Sequence, residues 1–369
     1  MTTWVRAPEA ARRLGVTTET LYSYVSRGRV HRTLGSDGRS SLFDVAELDA
    51  LAAASSRPTR PPSTIDVRIS TCITQLDEAG IRYRGVSLDD LVDEPFERVC
   101  DLLWHGSLGD LTGCALRSLP PAAPCGAPTS VISLIRLATD IDAGSTPTET
   151  AVRFLDAIAP RSFPTEDRSS FAARLTRRWV DDPSPALVRA VNSTLVLLAD
   201  HELATSTLSV RVATSVRASP AASLIAGLAT VEGDLHGAAS FHVHRMFERI
   251  EAAGPERVLT DHRRRREPVP GFGHKIYRDR DPRFSLLLDR VRDLPDPHDR
   301  RGVVDDTVRA AGALVGRLAN VDLALGALTY VAGLPPGAPL FAVARVAGWT
   351  AHHLEELEER PLRFRGLAR

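Results

Sequence analysis

GFGHKIYRDRDPRF, residues 271–284, is the stretch on which the reading of this chain turns. Two glycines flank a phenylalanine and deliver His274, and alternating charges follow until Pro282 breaks the run. The pattern has neither the three-and-four spacing of an amphipathic helix nor the alternation of a half-buried strand. Glycines at such a bend allow backbone conformations closed to other residues. A histidine on that bend, followed by arginines, marks a segment that is not expected in a core helix or a buried strand.

The flanking sequence is of another kind. Leu88–Trp104, Val188–Leu198 and Val303–Leu318 place apolar residues three and four apart, which predicts helices. Alternating runs are few and lie around Ile65–Arg84. No βαβ rhythm and no internal repeat is present, so the large part of the chain is expected to be mainly α.

The 369 residues are 43% hydrophobic and 25% charged, as in ordinary soluble globular proteins, and two or three domains are expected. A formal net charge of zero gives no global field towards nucleic acid or anionic lipid. Cys72, Cys100, Cys114 and Cys125 form no CxxC pair, which argues against a zinc site or a disulfide framework and suits a reducing compartment. There is no signal-peptide pattern and no apolar run of about 18 residues. A cytoplasmic protein without a membrane partner is expected. Lys275 is the only lysine.

Ser55–Ser63, SSRPTRPPS, has three prolines and no bulky apolar residue. This predicts a linker over 56–64 between a small domain, 1–55, and a large one, 65–369. In the small domain Pro8 can open a helix that Gly15 stops. Thr17 or Thr18 can cap a second helix, which Gly28 ends. A short β piece over Val30–Leu34 turns at Ser36-Asp37-Gly38 and returns through Leu42 and Phe43, and Val45–Ala53 forms a last helix. On AARRLGVTxxTL and RxxxFDxxEL the segment resembles the MerR/excisionase DNA-binding domains. That resemblance implies a winged helix-turn-helix with Thr18, Thr20, Tyr22 and Ser23 on or near the recognition helix. Arg27, Arg29, Arg32 and Arg39 would then meet DNA phosphates. A protein-docking module on the same scaffold is the other reading.

Further polar residues interrupt the helical pattern of the large domain. His201 lies in ADHELATSTLSVRVATS, 199–215, as a capping residue or a site residue. His236 in GDLHGAAS precedes a new helix, whose dipole would disfavour the cation and keep the ring neutral. His242 and His244 are expected to be exposed, and the HxH spacing puts their rings on different helix faces, so no metal site is expected. Asp322, the only charge between Arg317 and Arg345, is either a cap or a base. Burial there would raise its pKa. Arg345, in an apolar helix, needs an anionic partner. Such arginines imply a small polycarboxylate or a phosphate, and the His/Asp/His set implies carbon-acid chemistry.

The stretches IRYRG, ADHELATST, GDLHGAA, GFGHKIYRDRDPR, NVDLALGALTY, PLFAVARVAGWTAHHLE and RPLRF, in this order, resemble the citrate synthase family, including 2-methylcitrate synthases. The resemblance implies a citrate synthase fold, all-α and homodimeric, with a small closing subdomain at about 236–328. By carry-over, Asp322 takes a methyl proton from acetyl-CoA, His236 stabilises the enolate, and His274 protonates the carbonyl of oxaloacetate. His201, Arg283 and Arg345 would bind oxaloacetate, with Arg360 supplied by the partner subunit. Gly271, Gly273, Arg278 and Arg280 would meet CoA. The CoA thioester is a substrate, and no permanent cofactor or metal is expected. The family's asparagines are absent at Ala204 and Ser240, and a helix-sized piece is missing between Leu175 and Ala199. An alternative is a DNA-binding regulator that uses this domain as a metabolite sensor. A third reading makes the front module an oligomerisation element.

Overall fold

The computed structural model describes residues 3–14, 16–26, 28, 30–35, 37–38, 40–55, 69–77, 80–110, 127–141, 146–160, 169–273, 277 and 281–364. The chain divides into two compact units, Met1–Ile69 and Ser70–Arg369. The expected linker, 56–64, lies outside the described residues.

The first unit runs β1 (Trp4–Arg6), α1 (Ala7–Leu14), α2 (Thr18–Ser26), β2 (Thr33–Leu34), β3 (Ser41–Asp44) and α3 (Val45–Ser55). Thr17 Oγ1 accepts from the Thr20 amide and starts α2. The strand expected from Val30 pairs only at Thr33 and Leu34, against β3. Its first residue, Val30, points into the core instead, with Ala10, Ala11, Leu21, Phe43 and Leu48. β1 carries no sequence signal: three residues are too short for a period, and pairing with β3 makes them a strand. The antiparallel order is β1-β3-β2.

The second unit opens with an antiparallel meander, β4 (Thr74–Asp77), β5 (Gly80–Tyr83) and β6 (Val86–Ser87). Helices follow: α4 (Leu88–Leu91), α5 (Phe96–His105), α6 (Val131–Asp140), α7 (Pro147–Ile158), α8 (Phe171–Thr176), α9 (Pro185–Leu197), α10 (Thr205–Ser215) and α11 (Pro220–Val231). Then come α12 (Ala239–Ala253), α13 (Pro255–Arg265), α14 (Pro282–Arg292), α15 (Arg300–Leu314), α16 (Val321–Val331) and α17 (Leu340–Leu357). The single helix expected over Leu88–Trp104 is two, because Pro95 cannot continue the first and instead N-caps the second.

Local chemistry sets many of the starts. Thr146, Ser184, Ser219 and Asp281 each precede a proline at the first helical position, and each side chain accepts a backbone N–H of the first turn. A cap of this kind contributes about 1 kcal/mol. Proline there loses no hydrogen bond, because that N–H would have no helical partner.

α17 is the core element, packed on α5, α7, α9, α10 and α11. Its Leu340, Val343, Ala344, Val346, Ala347, Trp349 and Ala351 are buried. α16, buried over nearly its whole length, packs on α12, α14 and α15, and α13 packs on α12 and α15. α16 can lie this close to α12 because Gly326 has no side chain: a Cβ there would overlap Val243.

Candidate active site

The GFG bend is held by the approach to α16. The Gly273 amide donates to the Leu318 carbonyl (2.7 Å), and the Asn320 amide to the Gly271 carbonyl (3.0 Å). Asn320 Nδ2 donates to the Gly273 carbonyl (2.7 Å), while its Oδ1 accepts the Asp322 amide (3.0 Å) and caps α16. One asparagine thus ties the bend to the helix that carries Asp322. Gly271 and Gly273 have φ of 79° and 88°. What crowds them is protein: a Cβ on Gly271 would press on Leu323 and Val243, and one on Gly273 on Arg317. His274, Arg278 and Arg280 lie outside the described residues.

Beside the bend is a cavity of about 540 Å³. His201, His236, Arg283, Asp322 and Arg345 all line it, drawn from five separate parts of the chain. Phe272, Gly273, Ala204, Asn320 and Phe341 complete much of its wall. Glu202 holds the turn after His201 in the left-handed region, at φ 48°. For a residue with a Cβ that costs on the order of 1 kcal/mol, which the surrounding packing must hold.

Asp322 sits at the first turn of α16 with its carboxyl pushed up to about 6. Burial is the main cause; Asp281 adds to it, and Arg283 and Arg345 oppose it. His236 is pushed down to about 4, first by burial and then by the Arg345 charge. The direction agrees with the expected neutral ring, and burial and the Arg345 charge are its main causes; α12 starts three residues later, at Ala239. His236 Nε2 meets Ser206 Oγ at 2.9 Å, and its ring stands edge-on to Phe341. His201 Nε2 meets the Tyr277 hydroxyl at 2.7 Å.

The two arginines differ. Arg283 donates through Nε and Nη2 to both oxygens of Asp281 (3.0 and 2.9 Å). The fork expected to grip a substrate carboxylate is taken by a protein carboxylate, which also accepts the Val321 amide of α16 (3.0 Å). Arg345 is 2% exposed, and its Nε and Nη1 have no partner among the described residues. Its guanidinium lies over the Phe341 ring, 4.9 Å from the centroid. Arg360 is exposed and lines no part of this cavity.

His242 is exposed as expected, but His244 is buried and bonded to Thr329 Oγ1 (2.9 Å), because its face of α12 packs on α16. Among the described residues no group of three or more His, Cys, Asp or Glu side chains could hold a metal ion. No helix of the described residues is long and apolar enough to cross a membrane. Phe341, Tyr277, Ser206 and Asn320 are site residues without an expectation. Only Asn320 had a readable signal, as an N-cap two residues before a lone acid. In the first unit Thr18 and Tyr22 are exposed on α2, and Tyr22 bonds Ser41 Oγ (3.2 Å). Thr20 is half-buried, Arg32 is exposed ahead of β2, and Arg27 and Arg39 lie outside the described residues.

A helical fold that gathers a carboxylate with a raised pKa, a histidine with a lowered one and a buried arginine with open donors around one cavity is a candidate acid–base site. The family model "Citrate synthase, C-terminal domain" matches residues 146–365, more than half of the chain, which therefore belongs to the citrate synthase family of enzymes. The citrate synthase of Mycolicibacterium smegmatis is 27% identical over 326 residues, which are 76% of this chain and 86% of that protein. The 2-methylcitrate synthase 2 of Corynebacterium glutamicum is 28% identical over 334 residues, again 76% and 86%. Among solved structures, citrate synthase from Thermotoga maritima superposes with a TM-score of 0.66 at 22% identity, covering 82% of this chain and 92% of that one. The Thermoplasma acidophilum enzyme, solved with carboxymethyl coenzyme A and oxaloacetate, gives 0.66 at 23% identity, covering 82% and 93%. These likenesses identify the fold as that of citrate synthases.

Proposed function

We propose that this chain condenses an acyl-CoA, acetyl-CoA or propionyl-CoA, with oxaloacetate, giving citrate or 2-methylcitrate and free CoA. The observation that carries the reading is the set Asp322, His236 and Arg345 around one cavity. A carboxyl at about 6 is mostly ionised at pH 7 and is more basic than an ordinary aspartate, so Asp322 can take a proton from the carbon next to the thioester carbonyl. His236, neutral at that pH, can donate an N–H to the enolate oxygen as charge develops there. The enolate carbon attacks the ketone carbon of oxaloacetate, whose carbonyl π electrons move to oxygen. His274 is assigned the proton for that oxygen. Arg345 and His201 hold the oxoacid, with Arg360 assigned to the site of a partner subunit in a homodimer. Water then cleaves the thioester, and the thiol leaves as free CoA.

The test is thiol release from purified protein with acetyl-CoA or propionyl-CoA and oxaloacetate. Release above an Asp322→Ala control supports the reading. No release above that control with either acyl-CoA sinks it.

A second reading concerns the first unit, with its two short helices joined by a tight turn and followed by a strand pair. We infer a winged helix-turn-helix that takes DNA through Thr18, Thr20, Tyr22, Arg27, Arg32 and Arg39. The second unit would then report a bound metabolite to it. An electrophoretic shift of a specific DNA that changes on adding oxaloacetate or acyl-CoA is expected. Weak, sequence-blind and ligand-indifferent binding counts against it.

A further inference from the structure

α17 lays Arg345, Gly348, His352 and Glu356 on one face, at helical spacing. Asp200 stands against the middle of this row. The Gly348 amide donates to the Ala199 carbonyl (3.0 Å), and a Cβ at Gly348 would overlap Asp200 Oδ1. The carboxylate therefore lies on α17 with Arg345 a turn to one side and His352 a turn to the other. It is fully buried. Oδ2 accepts from Thr74 Oγ1 (2.6 Å) and from His352 Nε2 (3.3 Å), while Oδ1 has no partner among the described residues. Arg211 Nη1 donates to His352 Nδ1 (2.8 Å), which places the ring proton on Nε2 and aims it at Asp200.

The charges around this row are paired unevenly. Arg211 is held by Glu355 (2.5 Å) and Glu356 (2.8 Å), and Glu356 also accepts from Arg363. Arg283 is held by Asp281. Arg345 has no such partner among the described residues, although an isolated buried guanidinium is strongly disfavoured. Asp200 is a buried carboxylate against the same helix face whose charge, among the described residues, is met only by a hydroxyl and by a histidine that Arg211 keeps as a donor.

We propose that Asp200 is a positioning residue, the resident counter-ion of Arg345. It balances the guanidinium through space without taking its donors, so Nε and Nη1 stay free for a substrate carboxylate. Thr74 and His352 fix the carboxylate in that place. The electrostatics agree. Burial would raise the Asp200 carboxyl, but His352, Arg345 and Thr74 outweigh it and hold it below the ordinary value. Burial lowers Arg345, and Asp200 is the largest influence against that. The identity of the anion rests on the condensation reading above; the counter-ion pairing does not.

The experiment is a double-mutant cycle followed by thermal unfolding at pH 7, without ligand and then with oxaloacetate. Without ligand, Asp200→Asn lowers Tm by several degrees in the wild-type background and by less than half as much when Arg345→Met is also present. An Asp200→Asn protein that folds only when Arg345 is also replaced supports the pairing equally. Equal losses in both backgrounds, or failure to fold in both, overturn the proposal. With oxaloacetate, the stabilising shift is larger in Asp200→Asn than in wild type, because the substrate carboxylate then supplies the missing charge. Where oxaloacetate stabilises the wild type, a smaller or equal shift in the variant overturns it, since a merely structural role would leave that shift unchanged. Wild-type protein that gains nothing from oxaloacetate counts against the condensation reading, while the ligand-free cycle still decides the pairing.

Discussion

Asp322 shows at the scale of one residue how function opposes stability. Its folded pKa, about 6, lies above the ordinary 3.8. A raised carboxyl favours folding most below the unfolded pKa, and that contribution is lost as pH rises through about 6. At pH 7 the ionised group is therefore a burden on the fold and, in the proposed condensation, the base. Asp322→Asn is expected to leave Tm at pH 7 unchanged or higher while turnover falls by about 10²- to 10⁴-fold. In the wild type, kcat should rise with pH through about 6 and level off above it. A pH–rate profile and a thermal melt of the same two proteins check both. Much of this was legible as one acid in an apolar window. The engagement of Arg283 was not, although Asp281 stands only two residues away. Sequence spacing does not say whether a carboxylate turns onto its neighbour or out to solvent.

At the scale of the element, starts were legible and ends less so. The Thr-Pro, Ser-Pro and Asp-Pro pairs are local signals, and the structure uses each as a cap followed by a first-turn proline. α10 lacks this help. Its N-cap is Ala204, which makes no side-chain bond, although the helix carries both Ser206 and Arg211. Ala204→Asn should add a bond to the first-turn amides. The expected gain is about 1 kcal/mol, or roughly 1–2 °C in Tm for a unit of this size. Differential scanning calorimetry with and without oxaloacetate checks it and shows whether the new side chain, on the cavity wall, also alters binding. His244 marks the limit of element-level reading. Periodicity located the helix, but which of its faces α16 would cover was a tertiary fact.

At the scale of the whole molecule, the described members of the proposed catalytic set lie in the second unit, residues 70–369, and each unit has its own core. Removing residues 1–69 is expected to leave thiol release per mole within about twofold, since no proposed catalytic side chain is lost. Turnover of the shortened protein, compared with the full chain under the same conditions, checks this. A loss of more than tenfold would tie the first unit to catalysis instead.

The sequence by itself determined the helical class, the caps, the proline-rich break and the candidates His201, His236, Asp322 and Arg345. Each depends on spacing along the chain or on the contrast of one polar residue with apolar neighbours. Only the tertiary structure decided what those groups became. Burial raised Asp322 and lowered His236. Asp281 turned onto Arg283, and Gly348 let Asp200 lie between Arg345 and His352. Desolvation and charge pairing are set by distances across the fold, between residues as far apart as 200 and 352, and no local pattern contains them.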